Sequence, residues 1–475
     1  MVLEYNRWQQ KKFLMAQTYL YVPEHFSLWG ASAMNKLQKF YRRTGWHTVF
    51  SFDDENTSAR TYLLGATSVQ AVVNGLTTGV FYTGFLMGYG INIVNLSILT
   101  VIPYLTSLFS LLTPYILDRF PKRRMILSVA RMVYYAINIL GITLLPRLIV
   151  LQTARVTGLI IIVFVANAIN FLFAGYSPWH MPYITPEIRT GYFSATAMAS
   201  NLIGTVVALL TSLMTEQLTP VMQLRVFSIL RVVAFGLAAI DVYLLQKPKE
   251  PQYVLSSNRP SLVNIIKLPI QNKKFLRTMF IYLVYTMSAN LSTSVITTWQ
   301  LQTVKTGYVF PSVINVIFPL FVAFTSAPWG KVMQKIGNFK ALALVCLMLS
   351  ATYFPYAFVT HENYLWLMLI VRLAQHCIGM LQHYSVSNLI YINLPKEDQT
   401  CYTSFHTIIA NLGAFASMTI GTWVVADMGG RTWNFMGHAM GSVPVLLFTQ
   451  GVLTALAAVY ILAIRKWVEP EGRNM

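Results

Sequence analysis

Apolar runs of about 20 residues or more follow one another from residue 62 to residue 465, separated by short polar or basic stretches. A helix rises about 1.5 Å per residue, so such a run crosses the roughly 30 Å hydrocarbon core of a bilayer. Counted this way, the sequence predicts an all-α membrane protein with twelve transmembrane helices. The spans are 62–88, 91–116, 125–146, 156–179, 192–215, 224–245, 275–300, 308–328, 340–360, 363–388, 404–426 and 440–465.

The polar breaks repeat. Leu117-Asp118-Arg119-Phe120-Pro121-Lys122-Arg123-Arg124 lies between two apolar runs, and an altered copy, Gly330 to Lys340, lies between two others 216 residues later. A second pair, Pro186-Glu187-Ile188-Arg189 and Pro395-Lys396-Glu397-Asp398, repeats at an offset of 209. Two similar offsets point to a duplicated unit of six helices. The predicted organisation is a segment 1–61, a six-helix bundle 62–246, a linker 247–274 rich in Pro, Ser, Asn and Lys, a second bundle 275–466 and a tail 467–475.

Composition agrees: 55% of residues are hydrophobic and 11% charged, with a mean hydropathy of +0.53, which excludes a soluble domain of this length. The net charge of +19 is not a nucleic-acid footprint, because Lys and Arg collect between apolar runs. Residues 1–61 hold eight, 118–124 hold four and 247–277 hold seven, whereas the alternate loops hold at most two each. Positive residues stay inside, so both termini and the linker are expected in the cytoplasm, with the protein in the plasma or inner membrane. Residues 1–61 do not read as a secretory signal, because their longest apolar stretch, near Phe13 to Val22, is short and broken by Gln17, and they are expected to stay on the mature protein. Within them, 31–43 are either a basic amphipathic stretch for an anionic membrane surface or a cytoplasmic tail. Cys346, Cys377 and Cys401 lack metal-ligand spacing and are expected to pack; neither cofactor nor metal is expected.

These loops and spans resemble the major facilitator superfamily over residues 60–466. The family's motif runs Gly, any, Leu, Ala, Asp, Arg, any, Gly, Arg, Arg or Lys between helices 2 and 3, with a weaker copy between helices 8 and 9. Asp118, Arg119, Arg123 and Arg124 fit the first copy, although Pro114 and Pro121 stand where glycines are usual; Gly330, Gly337 and Lys340 fit the second, with Gln334 in place of the acid. The resemblance implies a gating role for these residues, with Asp118 latching one alternating state against Arg119 and Arg123 or Arg124.

The family's cavity is lined mainly by helices 1, 4, 7 and 10, and each carries polar residues here. Helix 10 places Arg372, Gln375, His376, Gly379, Gln382 and His383 on one face. With Gln70 and Asn74 from helix 1, Asn167 and Asn170 from helix 4 and Asn290 from helix 7, these are the candidate solute-binding residues. A single Asn or Thr also bonds across packed membrane helices; the helix 10 stripe is harder to satisfy with protein alone. Arg131 and Arg231 are expected to snorkel or pack, and Asp241 to pair with Lys247 or Arg231.

No acidic residue lies inside helices 1, 4, 7 or 10, which favours a facilitator or exchanger. A proton coupled through His376 or His383, or a sodium ion, stays open. Amides and rings suit a neutral or weakly anionic polyhydroxylated solute, so the first expectation is transport of a sugar or glycoside by a monomer. Efflux of lipophilic compounds and lipid flipping are the alternatives. A membrane enzyme or receptor is the other class, but His361-Glu362 lacks the second His of a zinc protease, and phosphate-binding glycine loops are absent.

Overall fold

The computed structural model describes residues 46–468 apart from 118–119, 121, 186, 251–261, 396, 398 and 436. Asp118 and Arg119 of the expected latch, and the 31–43 stretch, lie outside the described residues. The chain divides into Met1–Thr61 and Tyr62–Met475. In the first unit, Asp54 and Thr57 cap the start of helix Glu55–Thr77 reciprocally: Thr57 N donates to Asp54 Oδ1 at 2.9 Å and Asp54 N donates to Thr57 Oγ1 at 3.2 Å. The Thr57 backbone N–H holds the Asp54 carboxyl below its ordinary range. This cap starts the helix before the expected boundary at residue 62.

Eight helical spans among the described residues are long and apolar enough to cross a membrane: Ile93–Leu112, Arg123–Leu148, Gln152–Gly175, Gly191–Thr215, Pro220–Leu245, Asn338–Tyr356, Cys401–Met428 and Ser442–Val468. A ninth follows if the helix Val309–Ile336, bent by 54° near Pro319, counts as one span. Three of the twelve expected spans fall short for physical reasons. The first is interrupted at Thr78–Gly79, where Gly79 takes a positive φ of 60° and a second helix, Gly79–Gly88, begins. The seventh stops at Asn290 and resumes as Ile296–Trp299 and a π turn, Gln300–Val304. The tenth, Leu367–Leu389, carries Arg372, two histidines and two glutamines.

The described helices lie before and after the 251–261 stretch, which divides the chain in sequence into a first and a second half. One end carries the basic stretches 122–124, 246–250, 273–277 and 330–340; the other, the far end, carries 89–92, 216–220, 304–309 and 357–366. Gly337, at φ 80°, is the whole connection between helices Val309–Ile336 and Asn338–Tyr356. The short hairpin Trp433–Phe435 with His438–Met440 precedes the last helix. The end of the expected linker is helical, over Leu262–Gln271.

The intramembrane charges are placed differently from expectation. Asp241 pairs with Arg131, not with Lys247 or Arg231: Nε and Nη2 of Arg131 donate to its two carboxylate oxygens at 2.7 and 3.0 Å, and Tyr135 Oη donates at 2.8 Å. Their side chains are 8% and 0% exposed, so Arg131 does not snorkel. Its guanidinium also lies 5.2 Å from the Tyr176 ring centre and 5.6 Å from that of Phe173. Arg231 is buried too, donating to Thr143 Oγ1 at 2.8 Å and to the carbonyls of Thr77 and Asn138 at 3.1 Å. It thereby ties three helices together just where the first one breaks. Lys247 instead lies over the Tyr243 ring, at 4.4 Å.

Candidate solute cavity

A cavity of about 690 Å³ lies between the halves. Its walls come from both sides of the break at Thr78, from helix Arg189–Thr215, from Ile296–Gln300, and from the starts of helices Val309–Ile336 and Leu367–Leu389. Four of the expected residues line it: Gln70, Asn74, Arg372 and His376. Arg372 Nη1 donates to Gln375 Oε1 at 2.9 Å, and Gln375 Nε2 donates to Thr352 Oγ1 at 3.2 Å. Gln375 thus stands behind the guanidinium and orients it. His376 Nε2 lies 3.2 Å from the Ile314 carbonyl, with the ring 5.0 Å from that of Phe318.

The other expected residues are held elsewhere. Gln382 Nε2 donates to Tyr285 Oη at 2.7 Å, and His383 is exposed beside the Tyr384 ring. Asn167 is buried and donates to the Val163 carbonyl at 2.8 Å, and Asn290 donates to the Thr286 carbonyl at 2.8 Å. Asn170 is half-buried and off the cavity wall. The fourth span contributes no lining residue, because it packs against the second and third spans of its own half. Its place is taken by the fifth span, through Ser200, Asn201 and Thr205, and the eighth adds Ser312 and Asn315. The side-chain amides of Gln70, Asn74, Asn201 and Asn315 have no hydrogen-bond partner among the described residues, and no carboxylate lines the space. Free amides offer both donors and acceptors, and Arg372 supplies one fixed cation.

The far end of the cavity is sealed. Ser97 Oγ donates to the Ser294 carbonyl at 3.2 Å, and the hydroxyls of Ser212 and Ser312 meet at 2.6 Å. Glu216 of the first half accepts from the backbone N–H groups of Tyr308 and Val309, at 2.6 and 3.2 Å, and so caps helix Val309–Ile336 of the second half. The Tyr308 ring stacks 6.2 Å from Phe81 and meets Phe227 edge-on at 5.4 Å. Gly84 and Gly307 permit this approach, since a Cβ on either would run into Tyr308 or Glu216 respectively. In sequence Glu216 is an ordinary loop acid; its only signal is its place at the end of a polar-faced helix.

At the basic end, Arg124 ties elements of one half: its backbone N donates to Glu250 Oε1 at 2.7 Å and its guanidinium to the carbonyls of Gln246 and Pro248 at 3.1 and 2.8 Å. Arg123 is buried, Lys340 is exposed, and Gly330 faces open space within its helix.

The family model described as the Major Facilitator Superfamily matches residues 63–418. No curated protein matches the sequence. Among solved structures, a variant of the nucleoside transporter NupG superposes with a TM-score of 0.65 at 11% identity, covering 86% of this chain and 100% of that one. A D-xylose-proton symporter gives 0.63 at 13% identity, covering 87% and 99%. A bacterial homologue of the iron transporter ferroportin, in an inward-facing state, gives 0.64 at 11% identity, covering 87% and 99%. At these identities the likeness extends to the fold alone.

Proposed function

Because the chain belongs to the major facilitator superfamily, we propose that it carries a small polar organic solute, a sugar or glycoside first, across the membrane by rocking two six-helix halves about the central cavity. The observation that carries this reading is the lining itself: free amides from both halves, one arginine held by Gln375, and no carboxylate. Such a surface exchanges hydrogen bonds with a hydroxylated neutral or weakly anionic solute and repels a cation. That neighbours of the same fold carry nucleosides and D-xylose supports the class. Without a carboxylate to load a proton, the reading favours facilitated diffusion or exchange over symport. In this proposal all twelve expected spans cross the membrane, the three broken or polar ones included, and the basic end faces the cytoplasm. The sealed far end then makes the structure inward-facing.

The test is the thermal stability of the purified protein against sugars and glycosides, nucleosides, organic anions and lipophilic cations. A bound solute at about 100 times its dissociation constant adds roughly 2.7 kcal/mol. Stabilisation by a glycoside is expected; stabilisation by lipophilic cations or lipids alone would overturn the solute class in favour of efflux or flipping.

The far seal gives a second prediction. A carboxylate at a helix N-terminus contributes about 0.3–1 kcal/mol, so Glu216→Gln is expected to raise far-side labelling of an Asn315→Cys reporter by about 2- to 5-fold. Unchanged labelling would remove Glu216 from the seal.

A further inference from the structure

The helix Leu262–Gln271 presents two distinct faces. Ile265 and Pro269 are buried, and Leu268 packs with Phe275, Met279, Tyr402 and Phe405, which fixes the helix across the start of Gln399–Met428. Val263, Ile266 and Ile270 form a second, outward stripe at i, i+3 and i+7, and are 66%, 51% and 50% exposed. Lys267 flanks that stripe and is exposed. The chain then turns at Asn272, whose Oδ1 accepts from Phe275 N at 3.1 Å, and starts the helix Lys273–Ala289 with Lys273, Lys274 and Arg277 all exposed.

None of these four cations has an ion pair or hydrogen bond among the described residues, and residues 262–290 contain no Asp or Glu. Cations in a first helical turn are disfavoured by the helix dipole, so helix stability does not account for Lys273 and Lys274. An outward apolar stripe edged by unpaired cations matches the boundary between acyl chains and negatively charged headgroups. The strip also leads directly into Lys273–Ala289, the start of the seventh expected span, so on the topology proposed above, on which this inference rests, it lies at the bilayer surface.

We propose that Val263, Ile266 and Ile270, with Lys267, Lys273, Lys274 and Arg277, form a docking strip for anionic phospholipid headgroups of the leaflet at the basic end. The apolar stripe enters the acyl boundary and the four cations hold headgroup phosphates. Because the same helix packs on Gln399–Met428, lipid charge bears on how firmly the linker is fixed to the second half.

The experiment is hydrogen–deuterium exchange of the full-length protein in nanodiscs of phosphatidylcholine with and without about one third phosphatidylglycerol. Exchange over 262–277 is expected to slow by about tenfold with the anionic lipid. The combined variant Lys267→Gln, Lys273→Gln, Lys274→Gln, Arg277→Gln is expected to lose that difference, with unchanged protection over 338–356 showing that it folds. A second variant, Val263→Ser with Ile266→Ser and Ile270→Ser, keeps the charges and is expected to exchange faster in both bilayers. Equal exchange in the two bilayers would overturn the proposal. So would restoration of the protection in phosphatidylcholine by inorganic phosphate, or protection that appears only with a second protein present.

Discussion

Arg372→Ala is expected to weaken solute binding by about 10- to 150-fold while leaving the protein folded. Arg372 is the one permanent charge on the cavity wall, and its contact is with Gln375, which keeps its bond to Thr352 when the guanidinium is gone. A hydrogen bond from a charged donor contributes about 1.5–3 kcal/mol, which is roughly 10- to 150-fold in affinity. Arg372→Lys is expected to fall between, because the ammonium keeps the charge and loses the planar fork that two solute oxygens share. Uptake into proteoliposomes and thermal stability with and without solute read the two effects separately. Transport at the wild-type rate in Arg372→Ala would take the site away from this wall.

Arg131→Met is expected to destabilise the first half by about 3–5 kcal/mol, because it leaves the Asp241 carboxylate buried with Tyr135 as its remaining partner. Asp241→Leu leaves the guanidinium stranded and is expected to cost a similar amount. Replacing both together removes both charges, and similar-sized apolar pairs are often neutral or better. The double variant is therefore expected to be more stable than either single one. Unfolding in detergent measures all three; strictly additive losses would mean that the two groups do not act as a pair.

The all-helical membrane fold was legible because it rests on long apolar runs, which are local in sequence. The partners of the polar groups inside it were not. Asp241 has Lys247 near it in sequence, yet its partner is 110 residues away, and only the packing of helices Arg123–Tyr135 and Pro220–Leu245 brings them together. Gln70, Asn74, Arg372 and His376 line the cavity, whereas Gln375, Gly379, Gln382 and His383 of the same helix 10 stripe do not. Asn167, on an equally polar face, turns back to its own helix. Ser200, Asn201 and Thr205 also line the cavity, but isolated polar residues in an apolar helix carry no sign of which face meets the other half. The Leu262–Gln271 helix was hidden by a Pro- and Lys-rich composition that usually marks unstructured linker.

The first, seventh, eighth and tenth spans, which supply the cavity with most of its polar groups, are also those whose crossing is broken, bent or polar. Arginine in a lone membrane helix costs up to about 2.5–3.5 kcal/mol on insertion, the upper figures applying at its centre, and Leu367–Leu389 carries Arg372 together with His376 and Gln375. For such a segment, transfer into lipid is not paid by its own side chains. In the proposal that this helix crosses the bilayer, its place there is a property of assembly, conferred by contact with Asn338–Tyr356 and Val309–Ile336, whose own residues meet its polar groups: Thr352 accepts from Gln375 and the Ile314 carbonyl lies 3.2 Å from His376.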